Sequence, residues 1–276
     1  MPLKPKKSVN ELEDIARKIR MRIIEYSHRT KTPHLASCLS CVDILTAYYF
    51  DALNINPEKP FDKKRDRFIL SKGHAEPALF QVLAVAGFYP LSRIDDASHN
   101  GEDYFGEHPP SPGHLPGVEA ATGSLGHGLP IGVGMALAGK MNDENYQVSV
   151  LLGDGECNEG SVWEAAMLAS KHNLKKLTVI IDFNKWQATD RSYDVTSIDP
   201  LVDKWKSFDW QVTEIDGNDM KSLQESIYMD RTNKPLAIIG HTVKGKGISF
   251  MEDDNNWHYK TPNEEELQKA REELGF

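Results

Sequence analysis

The chain has 276 residues, of which 39% are hydrophobic and 26% charged, and a formal net charge of -9. That is enough apolar content for a sizeable core in one large domain. The acidic balance argues against a general nucleic-acid binder, and no window holds the roughly 20 uninterrupted apolar residues of a membrane span.

The N-terminus, MPLKPKKSVN, carries lysines but no apolar stretch of a secretory signal, so a cytoplasmic location is expected. Residues 1–7 read as a loose basic tail and residues 8–276 as a single domain. From Ser8, a candidate N-cap, the pattern is helical, with Leu12, Ile15, Ile19 and Ile23 on one stripe. A second helix is predicted from Cys38 to Leu53. Cys38 and Cys41 make a C-x-x-C spacing there, but their small, apolar surroundings and the lack of a second Cys/His pair nearby favour packing over redox or zinc chemistry. Three cysteines in all suit a reducing compartment.

Next, DRFILSKGHAEPALFQVLAVAGF predicts a short strand at Arg67–Ser71, a turn at Lys72–Gly73 and a helix. Residues 89–119 are rich in proline, glycine and histidine and read as a loop, long enough to suggest function. ATGSLGHGLPIGVGMALAGK is a glycine-rich turn into a small-residue helix. QVSVLLGD, LTVIIDFN and PLAIIGHTV are buried strands, with the helix NEGSVWEAAMLASKHN between the first two. The chain closes on a charged, helix-like tail, NEEELQKAREELGF. Strands alternating with helices predict an α/β domain, a parallel sheet flanked by helices on both faces.

The most informative stretch runs strand, Gly-Asp-Gly, helix, strand, Asn, over GDGECNEGSVWEAAMLASKHNLKKLTVIIDFNKW. In a right-handed βαβ unit both strands end on the same sheet edge, where open α/β sheets bind ligands. Asp154 and Asn184 therefore converge although thirty positions separate them. A carboxylate, an amide oxygen and a nearby backbone carbonyl suit magnesium, which completes its shell with phosphate oxygens and water. Glycines beside Asp154 let backbone N–H groups approach a phosphate. The full pattern is that of a thiamine-diphosphate motif.

The sequence resembles transketolase from about residue 10 to 262, specifically its N-terminal, diphosphate-binding domain. The resemblance rests on PHLASCLSCVDIL, DRFILSKGHAEPALF, PGVEAATGSLGHGLPIGVGMALA, GDGECNEGSVWEA and HTVKGKGISFMEDDNNWHYKTP, in matching order and spacing. It implies the thiamine-diphosphate-binding fold. It also implies a metal (Mg2+, or Ca2+/Mn2+) held by Asp154, Asn184 and the Trp186 carbonyl. Gly155 and Glu156 would lie at the diphosphate, and Gly123, Ser124 and Leu125 along the thiamine pocket. His74 and His258 would touch the cofactor, and His34, His108 and His258 the substrate. Imidazoles suit a reaction that moves protons at sugar oxygens near neutral pH.

His114 competes with His108 for the loop position, and His108 is preferred. His28, His99, His172 and His241 have no motif support and read as structural or solvated. Glu159 resembles an acidic residue near an interface between subunits in the family. His127 stands where glutamine is frequent, and Glu76 and Pro77 where small apolar residues are. The resemblance further implies two-carbon ketol transfer between sugar phosphates. It implies a partner C-terminal transketolase subunit carrying the pyrimidine-binding domain, in an α2β2 assembly, because the matched segments include no pyrimidine-binding glutamate. The alternatives are a thiamine-diphosphate ketolase or synthase of another substrate, the α chain of a 2-oxoacid dehydrogenase, and a non-catalytic cofactor-binding subunit. The last two leave the upstream histidines without a role.

Overall fold

The computed structural model describes residues 6–96 and 105–276. Helix α1 (Val9–Thr30) leads into α2 (Leu35–Ser40) and α3 (Val42–Ala47), then β1 (Arg67–Leu70), α4 (Glu76–Val85), α5 (Ser92–Asp95) and α6 (Gly128–Met141). After these come β2 (Val148–Gly153), α7 (Gly160–Lys171), β3 (Leu177–Phe183), α8 (Ser192–Val195) and α9 (Leu201–Ser207). The last elements are β4 (Gln211–Asp216), α10 (Met220–Ile227), β5 (Leu236–His241) and α11 (Glu264–Leu274).

The five strands form one parallel sheet in the order β1-β2-β3-β5-β4. Successive side chains of the inner strands enter two different cores. Leu151, Ile180 and Ile238 join the core built with α1, α3, α4 and α11. Val150, Val179, Ile181 and Ile239 join the core built with α6, α7 and α9. Helices thus cover both faces as expected, which is why these strands read as unbroken apolar runs. Strand β4 sits at the sheet edge and is only half-buried, so Gln211–Asp216 carries no such run and gave no signal in the sequence.

Register places the site. Gly153 pairs with Asp182, and Phe183 with His241. The residues that follow, Asp154, Asn184 and Thr242, therefore leave the sheet side by side. Leu70 pairs with Leu151, so Ser71–His74 leave along the same edge.

Local chemistry sets the helix ends. Ser8 caps α1 through a capping box with Glu11. Lys6 and Lys7, expected within a loose tail, are tied down: both backbone N–H groups donate to Asp51, and Lys6 Nζ donates to the Leu53 carbonyl at 2.8 Å. Residues 1–5 of that tail lie outside the described residues. The helix expected over Cys38–Leu53 starts earlier, at Leu35, and breaks at Cys41, whose backbone (φ -101, ψ 6) leaves the helical region. The charged C-terminal segment is α11, capped by Asn263 with Glu266 and docked on α1 through Ala270, Leu274 and an Arg271–Glu25 ion pair.

Helix α4 opens on Glu76 and Pro77, the proline tolerated in its first turn. Glu76 is 1% exposed, and neither carboxylate oxygen has a hydrogen-bond partner among the described residues. Burial, reinforced by Glu107, raises its pKa well above the ordinary 4.5. Because the folded value exceeds the unfolded one, the wild type loses stability as pH rises above 4.5 towards the folded pKa. Glu76→Met, an apolar replacement of similar size, is expected to stabilise the fold by about 1–3 kcal/mol near neutral pH. The gain in melting temperature should shrink towards zero at pH 4. A destabilised Glu76→Met variant at pH 8 would show that the carboxylate has a partner in solution.

Candidate active site

Two turns meet at the carboxyl edge. Asp154, which is 1% exposed, accepts hydrogen bonds from the Lys185 N–H at 3.0 Å and from Ser192 Oγ at 2.7 Å, through one oxygen. The turn after β3 is thereby folded onto the turn after β2. Burial pushes the Asp154 carboxyl up to about 6, partly offset by the Ser192 bond. Asn184 Oδ1 accepts from the Trp186 N–H at 3.0 Å, and its amide faces Asp182 and Ser40.

The glycine after Asp154 is required by what packs on it. A Cβ on Gly155 would come within 2.7 Å of Gln187 Cγ. Gln187 Nε2 is buried and without a hydrogen-bond partner among the described residues. An orphaned amide donor is costly, and here it borders the Gly155 turn, where an anion would satisfy it.

Around Asp182, the one acid inside the apolar run of β3, lies a second polar group. Lys72 pairs with it, Ser40 donates to it at 2.7 Å, and Thr242 bonds its other oxygen. Burial lowers the Lys72 pKa, but the Asp182 charge more than reverses this and the ammonium is held charged. Lys244 is 1% exposed, and its ammonium reaches Asn255 Oδ1 at 2.5 Å and His258 Nδ1 at 3.2 Å. Its pKa falls to about 8 through burial and the nearby Lys72. Neither lysine was singled out in the sequence, although Lys72 and Lys244 lie in matched segments. The usable signal was Asp182 itself, since a carboxylate in a fully buried strand needs a cation.

Four histidines close the group. The ring centroids of His34 and His74, and of His34 and His258, are 4.9 Å apart. Those of His74 and His108 are 4.4 Å apart, and the two Nε2 atoms share a hydrogen bond of 3.0 Å. His34 sits in the left-handed region at φ 66, its N–H donating to the His258 carbonyl at 2.7 Å. Burial first, then the like charges of its neighbours, pull His34 to about 4. Burial and then Lys244 pull His258 to about 3. His74 moves in the same direction for the same reason. His34, His74 and His258 are thus neutral at physiological pH, so each offers one donor and one acceptor nitrogen.

Gly123, at φ 147, supports the cluster from beneath: a Cβ there would meet His108 Cδ2 at 2.6 Å. Ser124 and Leu125 follow on the surface. Glu156 is 2% exposed, with its oxygens taken up by Ser71, the Gly126 N–H and the Gly153 N–H. It ties together the ends of β1 and β2 and the Gly126 turn, which leaves no free oxygen aimed at a ligand. His114 is exposed, whereas His108 bonds His74 within the cluster. The rings of His28 and His241 bond elsewhere, to the Pro262 carbonyl and Glu214, and the His172 carbonyl accepts from the Lys140 ammonium. His99 lies outside the described residues. Glu159 and His127 are exposed, and His127 Nδ1 is 3.0 Å from the Leu125 carbonyl. Cys38 and Cys41 are free and buried, and burial raises both thiols, Cys41 to about 12, as packing residues require.

A doubly covered parallel sheet with paired Asp and Asn turns and neutral histidines at its carboxyl edge is an architecture of thiamine-diphosphate-dependent enzymes. Residues 12–276 match the family model described as transketolase, thiamine diphosphate binding domain. The chain is 41% identical over 268 residues to an apulose-4-phosphate transketolase subunit of Phocaeicola vulgatus, covering 96% of this chain and 94% of that protein. It is 35% identical over 271 residues to a 6-deoxy-6-sulfo-D-fructose transketolase subunit of a Clostridium species, covering 96% of each. A crystal structure of Pichia stipitis transketolase with sedoheptulose 7-phosphate superposes with a TM-score of 0.88 at 25% identity, over 98% of this chain and 41% of that one. The chain thus spans about two fifths of the length of that transketolase. It belongs to the transketolase family and is a transketolase-type transferase with the thiamine-diphosphate-binding fold.

Proposed function

We propose that the chain is the N-terminal, diphosphate-binding subunit of a two-chain transketolase that moves a two-carbon ketol unit from a ketose phosphate to an aldose phosphate. The convergence of His34, His74, His108 and His258 beside the Asp154 and Asn184 turns supports it.

Thiamine diphosphate fits the residues present. The Gly155 cradle and the orphaned Gln187 amide suit a phosphate, and Lys72 and Lys244 supply positive charge beside it. Asp154, Asn184 and the Trp186 carbonyl would hold a divalent cation, Mg2+ by default, with Ca2+ or Mn2+ able to replace it; their hard oxygens match its chemistry. Gly123, Ser124 and Leu125 would line the thiamine through their backbone, and Glu156 would hold that turn in place. When bound, the thiazolium ring supplies an electron sink for the ketol unit.

The protein's own part is binding, orientation and proton movement. His74 and His258 would face the cofactor, and His34, His108 and His258 the sugar oxygens. His34, His74 and His258, held neutral by burial, can take a proton on one nitrogen while donating with the other. The Lys244 ammonium donates to His258 Nδ1, which leaves Nε2–H as the donor towards a substrate.

A partner chain carrying the pyrimidine-binding domain would complete the enzyme, in an α2β2 assembly with closed two-fold symmetry. Two observations support a partner. Relatives covered almost end to end are named as subunits. Leu125, Ile131, Met167 and Leu168 are exposed apolar side chains on and beside the packed helices α6 and α7. No helix among the described residues is long and apolar enough to cross a membrane, and the proposed location is the cytoplasm.

The test mixes the purified chain with a C-terminal transketolase subunit, thiamine diphosphate and magnesium. Donors are xylulose 5-phosphate and apulose 4-phosphate, with ribose 5-phosphate and other aldose phosphates as acceptors. Neither chain alone should turn over, and the mixture should reach the roughly 1–10³ s⁻¹ of ordinary enzymes. Substantial turnover by the pure single chain would overturn the two-chain reading.

A further inference from the structure

The turn that carries Asn184 and Trp186 is closed on itself and then fastened to a second segment. Trp186 bridges Arg191, Gln187 N–H donates to the Asp190 carbonyl at 2.9 Å, and Ser192 N–H donates to the Lys185 carbonyl at 3.0 Å. Arg191 lies over the Trp186 ring, 3.8 Å from its centroid. Both then meet one carboxylate. Arg191 donates to the two oxygens of Asp253 at 2.6 and 2.7 Å, and the Trp186 indole donates to it at 2.8 Å.

Asp253 is itself held in an uncommon shape. Its φ is 58, and its N–H donates to the Lys244 carbonyl at 2.8 Å. A non-glycine residue in the left-handed region persists only where its surroundings hold it there. Two positions on, Asn255 donates to the Ala188 carbonyl at 3.2 Å and accepts from Lys244, whose ammonium also touches the Gln187 carbonyl and His258. Asn255 and His258 share one 3-10 turn. A continuous chain of bonds thus runs from the Asp154 and Asn184 turns, through Arg191, Trp186 and Asp253, to His258.

We propose that Asp253 is a positioning residue. With Arg191 and Trp186 it forms a latch that pre-orders the diphosphate turn and sets it in register with the segment bearing His258. This rests on the reading of the site as a thiamine diphosphate site. The physical role is preorganisation. An exposed ion pair adds little stability by itself. A bidentate carboxylate that also holds an indole and a stacked guanidinium removes the ordering entropy that binding would otherwise have to overcome. Without the latch, the turn of residues 185–192 orders only when the cofactor arrives, so the loss falls on affinity. Once bound, diphosphate and metal hold the turn, so catalysis at saturation suffers less.

The experiment compares wild type, Asp253→Asn, Asp253→Ala and the charge-reversed pair Arg191→Asp with Asp253→Arg. In the cofactor-free full-length chain, trypsin should cut at Lys185 several-fold faster in the Asp253 variants, with the melting temperature within about 2 °C of wild type. In the assembled enzyme, calorimetry with thiamine diphosphate and magnesium should show about tenfold weaker binding for Asp253→Ala. Its kcat at saturating cofactor should fall no more than about threefold. The charge-reversed pair restores the ion pair but neither the indole's acceptor nor the stacked guanidinium, so it should recover only part of the protease resistance and affinity lost in Asp253→Ala. Unchanged nicking and unchanged affinity in both Asp253 variants would overturn the latch, as would a kcat loss equal to the affinity loss. If wild type binds no thiamine diphosphate, the functional reading fails, and the nicking rates still decide the latch.

Discussion

Asp154→Ala is expected to weaken magnesium-dependent thiamine diphosphate binding in the assembled enzyme by more than about a hundredfold, since even outer-shell partners of a metal cost 10–100-fold when removed. Asp154 is the one carboxylate in the proposed ligand set, and a diphosphate arm needs a cation to offset its charge. The substitution removes more than a ligand. The Lys185 N–H and the Ser192 hydroxyl both donate to Asp154, so the turn after β3 also loses its anchor on the turn after β2. Asp154→Asn separates the two effects. It keeps an acceptor for Lys185 and Ser192 while removing the charge, so binding should still fall steeply while the turn stays protected from protease. Calorimetry giving wild-type cofactor affinity for Asp154→Ala would sink the metal assignment.

His258→Ala should lower turnover by about 10²–10⁴, the range general acid–base groups contribute, while the melting temperature moves by only a few degrees. His258 sits in a short 3-10 turn rather than in either main core, so truncation leaves no large apolar cavity. A loss of melting temperature in proportion to the loss of activity would instead mark a structural residue.

The same histidine has a pH signature with a definite sign. Its folded pKa, about 3, lies below the ordinary 6.5. Stability tied to it is therefore fully present above 6.5 and drains away as pH falls from there towards 3, because the unfolded chain takes up the proton first. His34, at about 4, behaves alike. His258→Asn, which cannot be protonated, should lose less melting temperature between pH 7 and pH 5 than the wild type does. An equal or steeper loss in the variant would show that His258 is not held neutral in the folded protein.

The amino-acid sequence alone determined the layers and much of the edge. Short β-branched apolar runs such as VSVLLG and LTVIIDF read as strands covered on both faces, and in a right-handed βαβ unit a Gly-Asp-Gly turn and an Asn thirty residues on converge at one sheet edge. Hence Asp154, Gly155 and Asn184 were legible, as were His34, His74, His108 and His258 through the resemblance of their segments.

Other features needed the tertiary structure. Strand β4 is an edge strand with one half-exposed face, so it leaves no apolar run to read. Glu156 stands beside the motif in sequence, but its direction is set by three donors from residues 71, 126 and 153, and only folding brings those together. The choice between His108 and His114 turns on loop closure, which spacing leaves open when loop lengths vary. Packing sets His108 against His74 and Gly123. Lys72, Lys244 and Asp253 share this cause. A charged side chain in a sequence is an ordinary surface residue until the fold buries it or gives it two partners from distant segments, and those partners lie up to 110 positions away.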